Sequence, residues 1–322
     1  YARCYDMSKA AMDLALGRGG DQAVVKDGEK ILYYGGKSQQ QEKNTRVKVR
    51  VKAHALRQIL ETTSNVLIMG HKIADIDSFG SAVGIYVICR RLGKNAHIII
   101  NDVTSSVKPF MDRFRNNEEY PEDMFLTKEE APEYVDMQTA VIVVDVNKAD
   151  RTECPEVLDM CRTIMVFDHH RQSSDPISDA VLSYVDPSAS SASEMITEMI
   201  QYVEDGVKIK PYESDALFAG ISIDTDGFQS KSGPRTFEAV AFLRRHGADI
   251  TRVRKMLRDD MKGYIAVAQA VSHAVVYKGA FAISVFDGEG LDSPTIGGAK
   301  AANQLLDISG IKASFVVTSY ND

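Results

Sequence analysis

This chain should fold around a parallel sheet of the α/β kind, with a smaller α/β domain after it. Three features say so. Short apolar runs rich in Val and Ile recur from residue 65 onward, helix-like segments separate them, and each run closes on an acid or a histidine. Runs of this length and composition read as buried strands, and strands buried on both faces belong to parallel sheets.

Taken in chain order, residues 1 to about 20 read as a helix with Ala10, Ala11, Leu14 and Ala15 on one stripe. "AVVKDGEKILYYGG" carries two apolar runs around an Asp-Gly turn and reads as a hairpin. A polar stretch, "KSQQQEKN", marks a boundary near residue 45, and "RVKVRVKAHALRQILETTS" then moves from alternating to helical spacing. Its five Lys and Arg residues are read as a solvated helix face in preference to a basic patch. Four apolar runs follow: "VLIMGH" ending at His71, "AVIVVD" at Asp145, "IMVFDHH" at Asp168 to His170, and "LFAGISID" at Asp224. All four are expected to be strands, with "SFGSAVGIYVICRRLG" as an intervening helix. An amphipathic helix near 251 to 273 then leads to a strand, helix, strand order up to residue 322.

Composition removes several classes of function. With 322 residues, 44% of them hydrophobic, the chain can bury a large core and divide into domains. A net charge of −7 offers no footprint for duplex nucleic acid. Cys4, Cys89, Cys154 and Cys161 lack C-x-x-C spacing, so reduced cytosolic thiols are expected. No apolar run approaches the roughly 20 residues that span a bilayer, so the chain as given reads as soluble. Both ends look cut, as in a piece of a longer protein.

In a parallel sheet, ligands gather outside the carboxyl ends of the strands, so the four polar run ends should meet in one crevice. His71, Asp75, Asp77, Asp145, His169 and Asp224 supply imidazole and carboxylate without thiolate, a set that suits Mn²⁺, Mg²⁺ or Fe²⁺. So many carboxylates in one pocket need cations to neutralise them. Two divalent ions would do so and would activate a shared water for attack on phosphorus. Each element alone says little, because an Asp after a strand often just caps the next helix. Together they are hard to explain by packing, since a buried acid without a partner costs several kcal/mol.

"HKIADID", "VIVVD", "DHH" and "GISIDT", in that order, resemble motifs I to IV of the DHH phosphoesterase superfamily over roughly residues 55 to 248. The resemblance implies that His71, Asp75 and Asp145 hold one Mn²⁺, that Asp77, Asp145, His169 and Asp224 hold the other, and that Asp145 bridges them. It also implies that His170 touches the scissile phosphate while Asp168 orients a neighbouring histidine. Arg171, Ser190, Ser191 and Glu194 would join His170 as substrate contacts, although a serine capping a helix near Ser191 explains that segment equally well.

The flanks resemble the GdpP or YybT type of cyclic-di-AMP phosphodiesterase. Residues 1–45 would be the end of a degenerate GGDEF domain, 46–250 the DHH domain, 251–274 a linker helix, and 275–322 part of a DHHA1 domain. The DHHA1 segment is expected to be truncated, because no "GGGH"-type stretch is met and "IGG" at Gly297 and Gly298 fits a loop or helix start instead. The expected activity is hydrolysis of the second messenger cyclic-di-AMP to pApA. A nanoRNase-like hydrolase of short oligonucleotides, an inorganic pyrophosphatase (which the GGDEF remnant and the nucleotide-type second domain count against) and a regulatory nucleotide-binding module without turnover are the alternatives. Full-length members of that type are anchored in the cell membrane with these domains in the cytosol, and a homodimer is left open.

Overall fold

Strand pairing in the larger unit bears out the parallel sheet. The computed structural model describes residues 8–9, 12, 22–27, 30–35, 39–173, 175–258, 260–291 and 294–318. They divide into two units, one from Tyr1–Asp102 and Pro121–Ala248 and the other from Val103–Tyr120 and Asp249–Asp322. The helix expected through Ala10, Ala11, Leu14 and Ala15 lies outside the described residues.

The first described elements are β1 (Gln22–Asp27) and β2 (Lys30–Gly35), an antiparallel hairpin with Asp27 opposite Lys30. Helix α1 (Gln39–Glu61) follows. Here the alternating start expected for "RVKVRVK" is corrected: the segment is helical throughout. Val49, Ala53, Leu56 and Leu60 are buried at helical spacing, while Val47 and Val51 face solvent.

The sheet contains β3 (Asn65–Met69), β4 (Asn95–Ile99), β5 (Phe125–Leu126), β6 (Thr139–Val144), β7 (Thr163–Asp168) and β8 (Leu182–Val185), in the order β5-β4-β3-β6-β7-β8. Every adjacent pair is parallel. The chain builds outward from β3 to β4 and β5, then returns to place β6 on the other side of β3. The two central neighbours therefore form a topological switch point, where α/β sheets open a crevice. β3 and β6 are buried on both faces, as their unbroken apolar runs require.

One face packs Leu67, Met69, Val141, Val143, Ile164 and Val166 against Cys154, Val157 and Leu158. Beyond the other run α2 (Ile76–Arg91), α5 (Ala192–Val203), α6 (Pro211–Asp224) and α7 (Pro234–Arg245), whose inward positions are buried. The short α3 (Lys108–Arg115) belongs to the smaller unit, and α4 (Glu156–Met160) precedes β7.

The fourth expected strand is a correction. "LFAGISID" is the second half of helix α6, so Asp224 ends a helix. Pro211 starts that helix, where a missing N–H costs nothing, and Glu213 caps it by accepting the Lys210 amide at 2.7 Å. Because α6 is buried along most of its length it lacks a polar stripe, and an apolar run alone does not separate a buried helix from a buried strand.

The smaller unit holds a second correction. In place of one linker helix there are α8 (Ile250–Met256) and α9 (Met261–Ser272). Each has its own N-cap, Asp249 accepting from the Arg252 amide and Asp260 from the Gly263 amide. β9 (Val275–Tyr277), β10 (Phe281–Phe286), α10 (Pro294–Leu306) and β11 (Ala313–Thr318) complete the unit. β10 and β11 pair in parallel around α10, as the strand, helix, strand order requires, and Gly297 and Gly298 fall near the start of α10. Val267, Ala270, Phe286 and Ala301 form its core.

The fully buried Glu213 carboxylate joins two elements, since beyond the Lys210 amide it accepts from Arg90 Nη2 at 3.0 Å. Glu213→Ala should lower the unfolding free energy by about 2–4 kcal/mol, because it removes a cap and leaves a half-buried guanidinium without its carboxylate. A shift of the urea midpoint at unchanged slope is the readout, with Glu213→Gln expected to lose less.

Candidate metal centre

Three strand ends and two helix ends converge on one point. After β3 the chain turns at His71, which is held by the 149–154 segment: Thr152 bridges to it, the Lys72 amide donates to Arg151 O at 2.7 Å, and the Glu153 amide donates to Gly70 O at 3.0 Å. His71 Nδ1 lies 3.0 Å from Lys72 O, which assigns the proton to Nδ1 and turns Nε2 toward the crevice. Asp75 is the N-cap of α2. Its Oδ1 accepts from the Asp77 and Ser78 amides at 3.0 and 2.9 Å, leaving Oδ2 at 3.5 Å from His71 Nε2. The capping and ligand readings of Asp75 thus hold together.

Asp145 follows β6 and occupies a left-handed conformation, φ 59°, an uncommon state for a side-chain-bearing residue and one that clusters at functional sites. Its amide donates to Phe167 O at 2.9 Å. The side chain is buried, with Oδ2 at 3.4 Å from His71 Nε2 and Oδ1 at 3.4 Å from His169 Nε2. One carboxylate therefore faces two separate groups of donors.

The second group gathers Asp77, fully buried in the first turn of α2, with His169 and Asp224. His169 Nε2 is 3.9 Å from Asp77 Oδ2 and 3.2 Å from Asp224 Oδ2. Asp168, at the end of β7, is also fully buried: Oδ1 accepts from His170 Nδ1 at 2.9 Å and Oδ2 accepts from Asn147 Nδ2 at 2.5 Å. His170 is more than half exposed, with Nδ1 3.5 Å from Asp145 Oδ1. Arg171 is exposed beside it. Ser190, Ser191 and Glu194 are buried at the start of α5. Ser191 Oγ caps that helix by accepting from the Glu194 amide at 3.0 Å, and Ser190 Oγ donates to Glu194 Oε2 at 2.5 Å.

Several site-building residues escaped sequence reasoning. Asn147 ties Asp168 to the following loop, with Nδ2 donating to Arg171 O and Oδ1 accepting the Ser173 amide. Glu153 braces Asn101, taking its Nδ2 at 2.6 Å. Thr225 ends α6 next to Asp224, donating to Ile221 O at 2.7 Å and accepting from the Phe228 amide at 3.1 Å. Asn147, two residues after Asp145, and Thr225, the last residue of "GISIDT", carried a signal.

Electrostatics show what the site needs. Burial opposes protonation of His71, but its bonds to Asp145 and Asp75 outweigh that and push its pKa up to about 11. His169 is likewise pushed up to about 11, burial being overcome by Asp145 and Asp224. Burial, then the charges of Asp145 and Asp224, raise the Asp77 carboxyl well above its usual range. For Asp168, burial is outweighed by the bonds from His170, and its carboxyl falls below the usual range. These first three shifts all favour the protonated form at a concentration of carboxylates, whose charge a divalent cation would offset better.

The residues fit such ions. Asp145 Oδ1 and His169 Nε2 are buried without a hydrogen bond of adequate geometry, although such atoms are normally paired. One ligand atom each from His71, Asp75 and Asp145 lies within 4.8 Å of the others, and the same holds for Asp77, His169 and Asp224. These donors without thiolate suit Mn²⁺, Mg²⁺ or Fe²⁺.

Residues 65–221 match the model described as "DHH family, N-terminal domain". The chain is 40% identical over 97% of its length to the protein named cyclic-di-AMP phosphodiesterase GdpP of Bacillus subtilis, covering 48% of it. It is 36% identical, also over 97%, to the protein named cyclic-di-AMP phosphodiesterase PdeA of Listeria monocytogenes, again covering 48%. The chain thus spans about half the length of these curated relatives. A solved exopolyphosphatase-related protein of Bacteroides fragilis shares the fold, with a TM-score of 0.69 at 18% identity over 81% of this chain and 78% of that one.

Because the His71 and His169 pKa values are pushed up to about 11, both imidazoles hold a proton that an arriving cation has to displace. Mn²⁺ binding should release protons, and its apparent affinity should climb as the pH rises through neutrality. Titration calorimetry in buffers of different ionisation enthalpy reads the proton count directly.

Proposed function

We propose that this chain, in which residues 65–221 are a DHH-family N-terminal domain, opens cyclic-di-AMP to linear pApA by hydrolysing one phosphodiester bond. The observation that carries the reading is Asp145, whose two oxygens face two distinct donor groups. The two curated relatives supply the substrate by their names, at 40% and 36% identity.

His71, Asp75 and Asp145 would hold one cation and Asp77, Asp145, His169 and Asp224 the other, with Mn²⁺ the ion we favour. When bound, such a pair supplies Lewis acidity and lowers the pKa of water. The chain contributes positioning and charge. Asp168 takes His170 Nδ1, and that bond raises the His170 pKa, which favours the protonated ring and leaves its Nε2 to donate to a phosphoryl oxygen. Arg171 adds positive charge at the same rim. Ser190, Ser191 and Glu194, buried at the start of α5, are the remaining residues this reading assigns to the substrate-binding set.

The same reading assigns 1–45 to the end of a degenerate GGDEF domain, 46–250 to the DHH domain and 275–322 to part of a DHHA1 domain. It places membrane attachment in further segments of a longer protein. No helix among the described residues is long and apolar enough to cross a membrane.

Incubation with Mn²⁺ and cyclic-di-AMP, with pApA as a parallel substrate, tests the proposal. Accumulation of pApA that vanishes in Asp145→Ala is expected. Cleavage of pApA alone would favour a short-oligonucleotide hydrolase, and nucleotide binding without ion-dependent turnover would leave a regulatory module. His170→Ala should lower kcat by roughly 100-fold, the scale of losing one donor to developing charge, while ion uptake measured by calorimetry stays unchanged.

A further inference from the structure

Asp77 spends both carboxylate oxygens on the start of another helix. Oδ2 accepts the Ala192 amide at 2.7 Å and Oδ1 accepts the Ser193 amide at 2.9 Å. These first-turn amides of α5 have no carbonyl partner within their own helix, and the positive end of the helix dipole favours the carboxylate. Ser193 Oγ also reaches Asp77 O at 3.3 Å.

Gly220, one turn before Asp224 in α6, faces the same place. A Cβ there would lie 2.3 Å from Ser193 Oγ, 2.7 Å from Asp77 Oδ1 and 3.0 Å from Asp77 Cα. The carboxylate is pinned between two amides and the Cα belongs to the backbone, so neither can yield cheaply. The missing side chain of Gly220 therefore sets how closely α6, which ends at Asp224, approaches Asp77.

We propose that Gly220 and the first two amides of α5 form a positioning clamp on Asp77. This clamp governs cation uptake by the Asp77, His169 and Asp224 group separately from the His71, Asp75 and Asp145 group. The inference rests on the two-cation reading above. The other group is set by different means: Asp75 by its capping bonds, His71 by the 149–154 segment, and Asp145 by its own backbone turn and its bond to Phe167 O. An added methyl at position 220 thus presses on Asp77 directly and reaches the other group only through the Asp77 amide that Asp75 accepts.

Titration of the chain with Mn²⁺ by calorimetry, alongside melting curves, tests this with three variants. Gly220→Ala places the methyl against Asp77. Ala192→Pro removes the donor to Asp77 Oδ2 at the first helical position, where proline is favoured, after an extended Ser191 at φ −161°. Gly84→Ala is the control: its Cβ would meet Ile196 Cγ2 at 2.6 Å and Leu217 Cδ2 at 2.9 Å, crowding the same helices without touching Asp77.

Two ions should bind the parent chain and Gly84→Ala. In Gly220→Ala and Ala192→Pro, one ion should weaken by about 10- to 100-fold, the usual effect of disturbing a group that orients a ligand, while the other weakens far less. If Gly220→Ala does not fold, Ala192→Pro decides. Two ions bound with parental affinity by the folded variants would overturn the clamp alone, as would equal loss of both. A parent chain that takes up a single ion would overturn the two-cation reading, and the clamp with it.

Discussion

Carboxylates are crowded around the buried Asp145, and much of the surrounding architecture serves to hold them there. Like charges at this spacing repel, and burial increases the penalty. In the ion-free protein the neighbouring carboxylates push the His71 and His169 pKa values up to about 11, and the charge of these imidazoles offsets part of that repulsion. Even so, an Asp145 oxygen and a His169 nitrogen stay without a hydrogen bond. A left-handed backbone at Asp145 is a costly local choice. It makes sense where a ligand of opposite charge completes the structure.

The sheet explains how such a cluster can be built. β3 and β6 lie side by side at the point where the chain reverses its direction of winding, so His71 and Asp145, 74 positions apart, arrive within 3.4 Å. β7 adds Asp168 and the two histidines at the adjacent position. Helices then finish the site: α2 contributes Asp75 and Asp77 from its cap and first turn, and α6 contributes Asp224 from its last residue. His169 and His170 follow one another in sequence but have different surroundings, one buried among carboxylates and one exposed and held by Asp168. Neighbouring residues can in this way serve ion binding and substrate binding respectively.

Much of this was legible in the sequence. The runs that became β3, β6 and β7 announce buried parallel strands, and the polar residue after each is the one the crevice receives. The fourth run was misread because a helix buried along most of its length loses the amphipathic period that identifies helices. Asp224 reaches the site all the same, from a helix end. The alternating valines before residue 52 misled for the opposite reason: they mimic a strand over a few residues, whereas Ala53, Leu56 and Leu60 show that burial follows the helical period. The roles of Ser193 and Gly220 are legible only in three dimensions, because their importance lies in what approaches them and one sequence records no distances.

The central claim is that Asp145 is shared by two cations. Diffraction from crystals grown with Mn²⁺, with anomalous scattering collected at the manganese edge, addresses it most directly. The account predicts two peaks on either side of the Asp145 carboxylate, one among His71 and Asp75 and one among Asp77, His169 and Asp224, separated by about 3.5–4 Å. A single peak, or two peaks that do not share Asp145, would contradict it.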